Sequence, residues 1–497
     1  MKRFWQAMNR VFAPLLAAAL VVQPLAAAKP NKARLELEGQ LRAHVTELAS
    51  DAYEGREPGT EGEVKTLRYL GREWFNIGLV SGTNDPAHPW FAPVTIVARE
   101  PDASRAVFTR KGKRLFVPQE AVLALTSGKR GLVENAPVLF VGKGEAIPPR
   151  AELAGRVALL LDGGIDNSER QNALLKAGAS AVLTVLDGDR TLENVTAHRS
   201  RKGYALAGDK LGGDLEGFIT PAALNGALVG IGLDVTKLQA QAADPAFVPR
   251  VIDLAVSLEA TTRETRIKTH NLIGKLPGKR PELGAVLLLA HWDHFGRCAP
   301  APAEDQICNG AVDNASGLAV LTEVARRLAK GPQLDRDVYF LATTAEEIGF
   351  LGVEAFAEDP PLPLGQIVAA FNIDTVALAP AGRPFAVVGK GMTPLDPHIA
   401  AYAKSAKKKL ADGDAANAYV RRQDGWALMK YDVPAVMISS SWSDIAVVER
   451  FMEGDYHRPG DQLSRGIELG GAADDVEFLL GLTRWFGDAK RVPFAVK

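Results

Sequence analysis

Beyond residue 269 the chain alternates nearly uninterrupted apolar runs with helix-like stretches, and that alternation restricts this half to an α/β sheet with parallel strands. Residues 285–290, 338–343 and 367–373 are such runs, and they read as strands buried on both faces. Residues 316–330 read as a helix, with Leu318, Leu321, Ala325 and Leu328 on one stripe and Gly331-Pro332 as the stop. A second helix is expected over 474–486. In an open α/β sheet ligands bind outside the carboxyl ends of the strands, so the residues that follow each run carry the functional information.

Those residues share one chemistry. His291-Trp-Asp-His294 follows the first run, Glu346-Glu347-Ile-Gly349 the second, and Asn372-Ile-Asp374 closes the third. Asp313-Asn-Ala-Ser-Gly317 precedes the helix, and Tyr456-His457 comes later. Zinc accepts imidazole nitrogen and carboxylate oxygen, and a catalytic zinc keeps a position open for water. One such ion needs three protein ligands, and this set offers more. Two metals sharing a carboxylate can clamp both the attacking and the leaving group. Asp313, in a Gly-rich turn, is the expected bridge. His291 and Asp374 then complete one metal, and Glu347 and His457 the other. Adjacent glutamates do not readily face one ion, which leaves Glu346 free as a proton acceptor. Asp293, two residues past His291 on an extended chain, is expected to accept from the imidazole and fix its tautomer. His294 has no helical His-x-x-x-His geometry to support it and is expected outside the ligand set. Singly, each feature has a plainer reading: an Asp before a helix is most often an N-cap, and Glu-Glu pairs are common on surfaces. The convergence of all of them on one sheet edge favours the metal reading.

The first 28 residues read as a signal peptide. Lys2, Arg3 and Arg10 form a basic start, residues 12–22 are apolar but short for a bilayer span, and Ala26-Ala27-Ala28 suits cleavage. Export to a periplasmic or extracellular location follows, with no stable membrane insertion. It also permits a disulfide between Cys298 and Cys308, whose nine-residue gap matches no common zinc spacing. With 58 basic and 59 acidic residues the formal charge is -1, which gives no electrostatic case for nucleic acid. Neither a phosphate-loop nor a Gly-x-Ser-x-Gly motif is present.

After Trp90 the pattern changes to short apolar runs separated by Gly and Pro, with candidate strands at 138–141, 157–161 and 181–185 and a short helix at 172–177 ended by Gly178. Long strand–helix alternation returns only at Thr269, and the stretch from about 116 to 245 reads as a separate β-rich module. We therefore divide the mature chain into 29–115 and 246–497, forming one domain, and an inserted β-rich domain over 116–245.

The five metal-type segments resemble those of the secreted co-catalytic zinc aminopeptidases of the zinc-exopeptidase superfamily. Residues 153–161 and 173–179 resemble the protease-associated domain often inserted into them, and Glu54-Gly-Arg-Glu-Pro-Gly-Thr60 extends the likeness towards the start. The resemblance implies a mixed sheet flanked by helices and two zinc ions on His291, Asp313, Glu347, Asp374 and His457. Glu346 would be the base acting on a metal-bridging water, Asp293 the orienting acid and Tyr456 a carbonyl polariser. It implies a peptide substrate with a free N-terminus. Two alternatives use the same scaffold: a single-zinc glutaminyl-cyclase-like acyltransferase, and a non-enzymatic receptor-like module, which the filled ligand positions disfavour. The chain departs from the family at the long Cys-bounded loop 298–308. It departs again at Arg422-Gln-Asp-Gly-Trp426, where relatives often carry a Ser-Asp-His-like segment that borders the side-chain pocket.

Overall fold

The computed structural model describes residues 32–163, 167–187, 190–209 and 214–493. The expected signal peptide lies outside them. Among the described residues no helix is long and apolar enough to cross a membrane.

The three apolar runs form parallel strands: Ala285–His291, Asp337–Thr343 and Ile367–Asn372, every residue buried. Ala285–His291 lies between the other two, and Ala435–Ser439 continues the sheet beside Ile367–Asn372. The register sets Thr343 opposite His291 and Asn372 opposite Leu289. Asp374, two residues past Asn372, is thereby carried level with His291, and the Glu pair emerges just beyond Thr343. One sheet edge collects the functional side chains because parallel strands all end on the same side.

The helix Gly317–Ala329 is buried around most of its circumference. Its expected stripe of Leu318, Leu321, Ala325 and Leu328 is in the core, and Val320 and Val324 on the other side are buried as well. The reason is a second layer: helices Lys32–Leu48, Glu61–Ile77 and Leu469–Gly487 pack around it. Trp74, from the second of these, is fully buried and its indole N–H donates to Thr322. The helix expected over 474–486 therefore begins earlier, at Leu469, where a Gly-Gly pair obscured the apolar pattern.

Two long strands, Phe91–Arg110 and Arg250–Leu276, pair antiparallel and extend the sheet away from this core. Their outer halves carry a second hydrophobic core that includes Phe108, Phe140, Leu159, Leu183, Leu224 and Leu258. There the strands Arg130–Phe140, Val157–Leu161, Ala181–Val185 and Leu215–Ile219 lie parallel in that order. Short helices, among them Asn167–Ala177, Pro221–Leu228 and Val235–Ala242, join the strands in this part. Two of the three have only eight residues, too few to print a periodicity on the sequence.

Candidate metal centre

His291 ends its strand fully buried, and its Nε2 lies 3.2 Å from Asp313 Oδ1 and 3.6 Å from Asp374 Oδ1. On the other side of Asp313, His457 Nε2 lies 3.3 Å from Oδ2 and 3.0 Å from Glu347 Oε2. Asp313 thus turns one oxygen to each histidine. Donor atoms around a tetrahedral zinc with bonds of 2.0–2.1 Å stand about 3.3 Å apart. The four separations match the edges of two such tetrahedra sharing Asp313. His457 Nε2 and Asp313 Oδ2 are buried with no well-formed hydrogen bond, as expected of atoms directed at a common ion. The donor set of imidazole and carboxylate fits zinc.

His294 also enters the site. With Asp313 and Glu347 it forms a compact trio of possible donors. Its Nδ1 is 2.5 Å from Glu347 Oε1 but 4.0 Å from Asp313 Oδ2. The short distance is that of a charge-assisted hydrogen bond rather than of two atoms sharing a metal. His457, not His294, has the ligand-like separations, and His294 fixes the far oxygen of Glu347.

Asp293 acts differently from the sequence expectation. The strand ends at His291, so the same-side rule for extended chain lapses there. His291 Nδ1 meets the backbone carbonyl of Asp293 at 3.1 Å, while the carboxylate is 3.9 Å away. That carboxylate instead accepts the backbone N–H of Glu346 at 3.1 Å and of Glu347 at 3.4 Å. It positions the glutamate pair rather than the imidazole. Burial raises its pKa to about 7.

Electrostatics follow from so many carboxylates in one dry place. Burial, with Glu347 and Asp374 nearby, holds the Glu346 carboxyl well above the ordinary range. Burial lowers the His291 pKa, but Glu346, Asp313 and Asp374 outweigh it and raise that group well above its usual value. For His457 burial is likewise outweighed, by Asp313 and Glu347, and the pKa stands at about 9. Tyr456 stacks on the His457 ring with centroids 3.6 Å apart, and burial raises its phenol.

Two residues that sequence reasoning gave no role hold the ligand loops. Asp461 accepts the backbone N–H groups of Val312 at 2.8 Å and Asp313 at 3.0 Å. Standing four residues past His457, it couples both histidine-facing sides of the site. Arg56 is fully buried and donates to the carbonyls of Trp292, Leu48, Asn309 and Gly310. It thereby joins the His291 and Asp313 loops to the N-terminal segment. Burial lowers its pKa to about 10, against the pull of Asp461, Asp313, Asp293 and Glu347. Gly55 beside it has φ +69, and a Cβ there would stand 2.5 Å from the carbonyl oxygen of Cys308. Only glycine allows that approach. Cys298 and Cys308 are bridged, with Cα atoms 5.7 Å apart, as expected. The signal for Arg56 was its place between two glycine turns in a charged segment, and for Asp461 its spacing from His457.

Residues 271–478 match Peptidase family M28. Aminopeptidase YwaD of Bacillus subtilis (strain 168) is 25% identical over 278 residues, 56% of this chain and 51% of that protein. The alkaline phosphatase isozyme conversion protein of Escherichia coli (strain K12) is 34% identical over 103 residues, 19% of this chain and 29% of that protein. The matched stretch thus spans about half the length of the first relative and less of the second. Among solved structures, the aminopeptidase from Aneurinibacillus sp. strain AM-1 aligns over 93% of this chain and 96% of its own, with a TM-score of 0.52 and 17% identity. That likeness is one of fold.

Proposed function

We propose that this chain is an exported zinc aminopeptidase that removes N-terminal residues from peptides. The observation that carries the reading is Asp313, with one oxygen 3.2 Å from His291 and the other 3.3 Å from His457. His291, Asp313 and Asp374 would hold one zinc; Asp313, Glu347 and His457 would hold the second. Two zinc ions, when bound, supply Lewis-acid polarisation of the scissile carbonyl and a lowered water pKa.

The chain's own groups do the rest. Glu346 lines the cavity beside Asp313 and Asp374 and takes the proton from the attacking water. It returns that proton to the leaving amine nitrogen. Asp293 keeps the backbone of Glu346 and Glu347 in place while this happens, and Tyr456 offers its hydroxyl to the carbonyl oxygen. A free α-amine needs anionic partners in a buried site, and acidic groups such as Glu346 would supply one. Residues 116–245 serve as an inserted protease-associated domain, and 29–115 with 246–497 as the catalytic domain. The disulfide at the cleft rim and the relatives' printed names support export and aminopeptidase activity respectively.

The test uses the purified mature protein with leucyl anilide, unblocked peptides and their N-acetylated forms. Cleavage of the first two from the N-terminus and refusal of the acetylated peptides is expected. Preferred cleavage of acetylated peptides, or release of C-terminal residues first, would overturn the aminopeptidase reading and leave the metal centre standing.

A further inference from the structure

Next to the donor atoms of the metal centre is a cavity of about 20 Å³, bounded by Glu346 and Asp374 on one side. Met437, Trp442 and Met452 supply apolar wall, and Arg422 and Tyr456 form its edge. That volume holds roughly one water molecule. A substrate side chain can enter only if the edge gives way, and the edge is lightly held. Arg422 is exposed, its Nη2 lies 3.4 Å from the Tyr456 hydroxyl, and its guanidinium sits 5.5 Å from the centre of that ring. Among the described residues no carboxylate lies within ion-pair distance of it.

A guanidinium presents five N–H donors in a planar fork that suits a carboxylate. Arg422 uses one of these, weakly, at the edge of a cavity whose other charged residues are all acidic. Among the described residues Tyr456 is its hydrogen-bond and ring partner, and its charge is matched by no carboxylate. We propose that Arg422 is a specificity-determining residue that binds a carboxylate of the substrate at the edge of this cavity. The inference rests on the aminopeptidase reading. The carboxylate has two sources: an acidic side chain on the first residue, or the free C-terminus of a dipeptide. The apolar wall suits the methylenes of a glutamyl side chain.

The experiment compares the wild type with Arg422→Ala and Arg422→Lys on two substrate pairs. The first is glutamyl against leucyl anilide; the second is a leucyl dipeptide with a free against an amidated C-terminus. Each kcat/KM ratio is taken within one protein preparation, so partial misfolding cancels. Loss of a charge-assisted contact should lower the relevant ratio about tenfold to a hundredfold in Arg422→Ala. Arg422→Lys should fall between, since it keeps the charge without the fork. A fall in the first ratio identifies the side chain as the source, and a fall in the second identifies the C-terminus. Both ratios unchanged within twofold, with leucyl anilide still cleaved by the wild type, would overturn this inference alone and reduce Arg422 to a brace for Tyr456. A zinc-loaded wild type that cleaves none of the four would overturn the aminopeptidase reading, and this inference with it.

Discussion

Replacing Arg56 by lysine separates charge from geometry at the centre of the fold. Lysine keeps the cation but has neither the reach nor the fork to meet four carbonyls on three segments. At best two of those bonds survive. Each buried carbonyl that loses its partner costs about 1–3 kcal/mol, so losing two costs about 2–6 kcal/mol. Against a total stability of about 5–15 kcal/mol, that is a large fraction. Urea unfolding of the zinc-loaded protein measures it as a lower midpoint at unchanged slope. The loop carrying Gly310 and Asp313 should also loosen, so a chelator should strip the metal from Arg56→Lys at lower concentration than from the wild type. A stability loss below about 1 kcal/mol with undiminished metal retention would refute the clamp, because it would show that charge alone is needed at position 56.

Glu346→Gln should keep metal and fold but lose turnover by orders of magnitude, whereas Glu347→Gln should release one metal; metal loss following Glu346 instead would reverse the two roles. Elemental analysis should find two zinc ions per chain, with activity abolished by chelation and restored by zinc; one tightly held ion would favour the cyclase-like alternative. Glu323 offers a pH test far from the metals. Burial raises its pKa, but His44, Arg326 and Arg327 outweigh it and hold the group at about 2. A depressed carboxyl stabilises the fold above its unfolded pKa and loses that contribution as pH falls towards 2, so about 3 kcal/mol should disappear between pH ~4.5 and 2. Glu323→Gln should flatten that segment of the stability curve.

The parallel strands were legible because burial on both faces leaves no polar residue to interrupt them, and the metal-type residues because each stands where such a strand ends. The Asp293 carboxylate was misread for a local reason: the strand stops at His291, and alternation says nothing past that point. For Asp461 and Arg56 the sequence offered a position but no role, because both act on backbone groups, and a carbonyl or an amide looks the same at every position of a sequence. His294 was read as lying outside the ligand set from motif shape alone; its hydrogen bond to Glu347 depends on a loop path that no spacing encodes.

The pairing of Phe91–Arg110 with Arg250–Leu276 has a consequence for how the chain is made. Its two sides are separated by about 140 residues of intervening chain, so the ladder cannot zip until that stretch has emerged and closed a long loop. The outer core, assembled mostly from that stretch, is complete well before residue 291 exists. During synthesis Arg56 therefore has only the Leu48 carbonyl at hand and waits through some 240 residues for those it will bind at Trp292, Asn309 and Gly310. The first helices cannot reach their final burial until the last third of the chain arrives, so a truncated product would expose their apolar faces.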